Sequence, residues 1–136
     1  MGKTVGIDLG TTFSLVAYMD AATAQPKCIP GPYGETLCPS VVSVDPDGSV
    51  IAGEAARRRL LTQPGRTIYS VKRLMGRGVD DVQAELKLFP FRIDPESRNV
   101  IRVRLGDRVF TPPEVDRKST RLNSSHIQKS RMPSSA

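Results

Sequence analysis

The stretch Val5-Gly6-Ile7-Asp8-Leu9-Gly10-Thr11-Thr12-Phe13-Ser14-Leu15-Val16-Ala17 constrains this chain more than any other. Val5, Ile7 and Leu9 alternate with other residues, and Leu15, Ala17 and Met19 do so again. A period of two is the pattern of a half-buried strand, so the stretch reads as strand, tight turn, strand. Gly10 lets the backbone turn sharply and lets another group come close. Thr11 and Thr12 set hydroxyls beside backbone N–H groups, and successive amides in such a turn form a concavity suited to an anion. Asp8 stands at the mouth of the turn. A carboxylate beside a phosphate cradle repels the phosphate unless a cation lies between them. Asp8 therefore suggests a divalent metal, or an oriented water, at that point. On this pattern alone a plain hairpin turn is the alternative.

The chain carries no GxxxxGK[ST] loop, GxGxxG, HExxH, GxSxG or cysteine cluster. Its 136 residues suffice for one domain with a modest core. The net charge of +6 is unevenly spread. Residues 1–115 have a net charge of +2 (15 Lys and Arg, 13 Asp and Glu), and residues 116–136 carry +4. The main body thus gives no charge argument for nucleic acid. No apolar run is long enough for a membrane helix, and Met1-Gly2-Lys3-Thr4 leads straight into a strand without an export leader. The expected location is cytoplasmic, with Cys28 and Cys38 as a buried thiol pair in a reducing compartment.

Further along, Lys27-Cys28-Ile29 reads as a short strand and Pro30 to Gly34 as a loop. Pro39-Ser40-Val41-Val42-Ser43-Val44 is a β-branched strand, and Asp45-Pro46-Asp47-Gly48 turns it back into Ser49 to Ala52. The spacing of Ala52, Ala56 and Leu60 predicts a helix over 53–63, with Arg57, Arg58 and Arg59 spread around it as a solvated face. Ile68, Val71 and Met75 predict a second short helix over 67–76. Lys72 falls at the edge of that stripe, where it can lean past buried surface into a cleft, and Arg73 falls on the opposite side. Asp80 is expected to cap a helix carrying Val82, Leu86 and Phe89, which Pro90 ends. Phe91 to Ile93 suggests a strand, and residues 101–111 form the clearest hairpin, turning at Gly106-Asp107. Pro112-Pro113-Glu114 looks like a helix start. From residue 116 the chain is basic and contains six Ser, without apolar periodicity. That composition predicts a disordered basic, Ser-rich tail over 116–136, and suggests a segment read from unrelated nucleotides.

Several of these motifs carry a resemblance. Gly6 to Ser14 closely resembles the opening phosphate-binding segment of DnaK-type heat-shock chaperones, the 70-kDa class. Pro39-Ser40-Val41-Val42 and Gly53-Glu54-Ala55-Ala56-Arg57 resemble that family's next two stretches. Ser70-Val71-Lys72-Arg73-Leu74-Met75-Gly76-Arg77 resembles the helix bearing its catalytic lysine, and Val71 to Arg77 is also similar to the specialised iron–sulfur-assembly members. Pro112-Pro113-Glu114 resembles the start of a following helix. The motifs occur in order over residues 2–115.

The resemblance implies an α/β class and the actin-like ATPase fold. Residues 1–115 would form part of its first lobe, with mixed sheets and flanking helices. It implies ATP with Mg2+ as cofactors, with client proteins and co-chaperones as partners of the intact parent. Carried onto this sequence, Gly10, Thr11, Thr12 and Phe13 would contact the phosphates. Asp8 would act around the magnesium and its waters, as the metal and a catalytic position. Lys72 would approach the γ-phosphate and help place the attacking water, which suits phosphoryl transfer, where positioning and positive charge dominate. Because the second phosphate loop, the adenosine-binding segment and the peptide-binding domain are not matched, this chain alone is expected to bind ATP weakly or not at all and to lack chaperone activity. Exposed sheet edges and apolar surface are expected with it. Two alternatives are a sugar or glycerol kinase of the same actin-like superfamily and a non-enzymatic interaction module with a basic tail.

Overall fold

The computed structural model describes residues 4–31 and 33–129, with side chains through Leu122. Residues 1–3, where no export leader is expected, and residues 130–136 of the expected tail lie outside the described part.

The opening hairpin forms, but not with the buried face its alternation predicts: Val5 and Ile7 are exposed, and after the turn Ser14 and Val16 are buried rather than Leu15, Ala17 and Met19. Strand β1 (Val5–Leu9) pairs antiparallel with β2 (Phe13–Asp20), with Leu9 opposite Ser14 and Ile7 opposite Val16. On the other edge of β2 lie β3 (Gln25–Cys28), opposite Ala17 to Asp20, and the short β4 (Cys38–Pro39), opposite Phe13 and Ser14. In this four-stranded sheet β1 pairs with β2 alone. Among the described residues its outer edge is unpaired, and Val5 and Ile7 are 39% and 46% exposed, in line with the expectation of open edges and apolar surface.

Two three-stranded antiparallel sheets build the core. Strand β5 (Val41–Val44) is buried at every position, because β6 (Val50–Ala52) pairs on one edge and β7 (Thr67–Tyr69) on the other. The second sheet is the meander of β8 (Arg92–Ile93), β9 (Val103–Leu105) and β10 (Arg108–Phe110). Val42, Val44, Ile68, Leu74, Val82, Phe91, Ile101, Val103, Leu105 and Val115 make one apolar cluster between these sheets and the helices. Two buried hydroxyls are satisfied within it, since Thr67 Oγ1 lies 3.1 Å from Ser43 Oγ and 2.8 Å from the Gln63 carbonyl.

Helix α1 (Glu54–Thr62) matches the predicted span. Its arginines do not form a patch. Arg57 and Arg58 pair with Glu54 at 3.3 and 3.8 Å, and Arg59 forms an ion pair with Asp45 on the β5–β6 turn. Helix α2 (Val79–Leu86) begins one residue before its expected cap, Asp80. Gly78 is the capping position, and its N–H donates to the Asp81 carboxylate at 3.0 Å, so Asp80 lies within the first turn.

Three expectations are corrected. The helix over 67–76 is instead β7 followed by a single 3-10 turn, Val71–Leu74. Ile68 sits opposite Val42 in the ladder, and Ser70 adopts the left-handed region (φ 52°, ψ 34°), which no helix passes through. The disordered tail is likewise overturned over most of its length, because helix α3 runs from Pro112 to Lys129. Glu114 accepts the Thr111 N–H at 2.7 Å and its hydroxyl at 3.0 Å, closing a cap. Val115 and Ser119 are buried and Leu122 packs on the core, a stripe at four- and three-residue spacing. The buried thiol pair also fails, since Cys28 is exposed on β3 and only Cys38 is partly buried. Burial, and then the charges of Glu35 and Glu54, push the Cys38 thiol up to about 11.

Asp94 is 5% exposed, at the end of β8. The Glu96 N–H at 3.0 Å, and then Arg104 at 2.6 Å, hold its carboxyl below the usual carboxylate range. This stabilisation is complete above the unfolded-state value and is lost as pH falls through the depressed folded one. Asp94→Asn is therefore expected to be less stable at neutral pH. It should lose less further stability than the unaltered chain below about pH 4, measured by urea unfolding at both pH values.

Candidate functional site

The turn between β1 and β2 and the 3-10 turn after β7 meet in space. Gly10, Thr11 and Thr12 close the hairpin, with Thr11 half-buried and Thr12 and Phe13 exposed. Gly10 is required by close approach. A Cβ there would lie well inside van der Waals contact distance of the Phe13 carbonyl oxygen. The backbone thus folds back on itself at the point where a phosphate cradle needs its amides converging.

Lys72 reaches this turn from 63 residues away, its Nζ donating to the Leu9 carbonyl. Two neighbours on the same 3-10 turn hold it there, Val71 (7% exposed) and Leu74 (1%), both in the core cluster. At three residues per turn their side chains fall on one line, which leaves Lys72 half-buried toward the hairpin and Arg73 exposed. The expected orientation of both side chains therefore holds although the helix does not. A lysine ammonium has three donors, so two are left for other oxygens.

Asp8 is exposed on β1, opposite Leu15, and among the described residues its carboxylate has no hydrogen-bond or ion-pair partner. No three His, Cys, Asp or Glu side chains gather among the described residues. This donor set does not fit an all-protein metal cage. It fits magnesium, which keeps several waters and takes one or two carboxylates together with phosphate oxygens.

A cavity of about 110 Å³ lies on the other face of the sheet, walled by Ile7, Leu9, Val16, Ile29 and Ala52. Ile7 pairs with Val16, whereas Asp8 is one residue out of phase and projects from the opposite face. The cavity is mostly apolar, with Glu35 and Glu54 also on its wall; Leu9 and Ser14 bring it up to the two ends of the turn, but none of Gly10 to Phe13 lines it.

Sequence reasoning missed Ser40. Its N–H donates to the Thr12 carbonyl at 2.9 Å and its hydroxyl to the Gly10 carbonyl at 2.8 Å. The only sequence signal was its place in the Pro39–Val42 motif.

The chain matches the family model described as "Hsp70 protein" over residues 4–121. It belongs to the Hsp70 family. The match takes in the phosphate-type turn, the Lys72 turn and the first part of α3, so the chain corresponds to the family's chaperone ATPase domain, of actin-like fold. Hsp70 proteins in general bind ATP with Mg2+ and act with client proteins and co-chaperones. At the level of family this settles the choice between an Hsp70 domain, a polyol kinase and an interaction module. No helix among the described residues is long and apolar enough to cross a membrane.

Proposed function

We propose that the β1–β2 turn and Lys72 form the phosphate end of the ATP site of a DnaK-type chaperone, working in the cytoplasm. The observation that carries this reading is the reach of Lys72 onto the Leu9 carbonyl, which sets a cation against the Gly-Thr-Thr turn. In this reading the turn residues Gly10, Thr11, Thr12 and Phe13 hold phosphate oxygens. Lys72 directs its two remaining donors to the γ-phosphate and the attacking water. Asp8 orients water around magnesium, which when bound supplies positive charge on the phosphate oxygens.

These elements bind only the phosphate end of the nucleotide. The 136-residue chain by itself is proposed to bind Mg-ATP weakly and to lack chaperone activity. Titration with Mg-ATP, followed by amide NMR, should give millimolar binding with shifts centred on residues 10–13. Lys72→Met should weaken that binding by about tenfold or more, the effect of losing a charge-assisted contact. Micromolar binding by calorimetry would overturn the weak-binding claim. Absence of any shift in the turn would overturn the site.

A further inference from the structure

We propose that Ser40 is the positioning residue that sets the phosphate turn, an inference resting on the nucleotide reading of that turn. A backbone cradle for an anion must aim its N–H groups at the ligand and keep its carbonyl oxygens occupied elsewhere, because both the carbonyls and the anion are negative. In the run Leu9 to Thr12, three of four carbonyls are occupied in this way. Lys72 Nζ donates to Leu9, the Ser40 hydroxyl donates to Gly10 at 2.8 Å, and the Ser40 N–H donates to Thr12 at 2.9 Å. One residue thus grips both ends of the Gly10–Thr12 turn.

Ser40 is itself held. Strand β4 pairs Pro39 with Phe13 and Cys38 with Ser14, which fixes the backbone immediately before it. Its hydroxyl lies 2.9 Å from that of Ser14, which is 5% exposed. Because the Ser40 proton is directed at Gly10, Ser14 is the donor of this second bond. The relay runs Ser14 to Ser40 to Gly10 and ties the buried start of β2 to the turn. Alanine at 40 removes the relay but leaves the β4 ladder, and threonine restores the hydroxyl.

The test uses the full 136-residue chain and reads amide hydrogen exchange by NMR. In Ser40→Ala, exchange at the amide of residue 40, which donates to Thr12 at 2.9 Å, is expected to rise about five- to tenfold as the turn loosens, the scale of one lost hydrogen bond. Val42, Val44 and Leu105 should exchange at unchanged rates, and Ser40→Thr should return that amide to its original protection. An amide at residue 40 that exchanges equally slowly in Ser40→Ala overturns the proposal, and so does equal acceleration of the core amides, which would make Ser40 a general stabilising residue. A second arm titrates Mg-ADP against the amides of Thr11 and Thr12. Ser40→Ala should need about tenfold more nucleotide for the same shift, with rescue by Ser40→Thr. If the unaltered chain shows no shift with Mg-ADP, the nucleotide reading fails, and the exchange arm still decides whether Ser40 sets the turn.

Discussion

Leu74→Ala is expected to lower the stability of this chain by about 2–5 kcal/mol, the range for a buried leucine whose cavity collapses only in part. Leu74 is 1% exposed and belongs to the core cluster together with Ile68, Val71 and Val115. It sits on the 3-10 turn between β7 and α2 and is enclosed by the core cluster, so neighbouring side chains fill the gap only in part. The denaturant midpoint in urea should fall while its slope stays the same, since the folded and unfolded surfaces are otherwise unaltered. The substitution also tests how the site is supported. Lys72 lies two residues before Leu74, so the bond to Leu9 should loosen along with the turn. A loss below about 1 kcal/mol would mean that the turn does not depend on the core for its place.

Gly10→Ala should have the largest effect on the site and a smaller one on global stability. The added Cβ meets the Phe13 carbonyl oxygen, a backbone atom that cannot move aside as a flexible side chain would. Either Phe13 or the whole turn must shift. The cost expected for forcing such an atom into a packed position is about 1–3 kcal/mol. It falls on the first sheet, which contributes no residue to the main apolar cluster. The melting temperature should therefore change modestly, while the shifts of residues 10–13 on adding Mg-ATP disappear. Retention of those shifts in Gly10→Ala would show that the close approach at Gly10 is not needed for the cradle.

Some of this molecule could be read directly from the amino acids. The first hairpin was legible because Val5, Ile7 and Leu9 alternate over a full strand and a glycine turn follows. The same holds for Ile101, Val103 and Leu105 before Gly106-Asp107. Strand β7 was not legible. It has three residues, too few to separate a period of two from one of 3.6, and the left-handed turn at Ser70 lets Val71 and Leu74 continue an apparent helical stripe. Helix α3 was hidden for a different reason. Its buried stripe passes through Ser119, a polar residue in an apolar position, so the pattern seemed to stop. The Thr111-x-x-Glu114 cap was the signal available in its place. At the site, the residue types of the turn were informative, but the partnership of Ser40 with Gly10 and Thr12 depends on β4 folding back against β2, which no local pattern encodes.

The bond from Lys72 to Leu9 has a consequence for the order in which the molecule assembles. The ladders of the opening sheet join residues within 5–39, most of them close neighbours, so that sheet can form from nearby contacts. The lysine closes a loop of 63 residues and is delivered only when its turn docks on the core. The entropy of closing a loop grows slowly with its length, so this contact costs little more at equilibrium than a shorter one, but it forms late. During folding the glycine–threonine turn therefore exists first as an ordinary hairpin end. Lys72 joins it only after β7 has paired with β5 and the turn that follows has docked on the core.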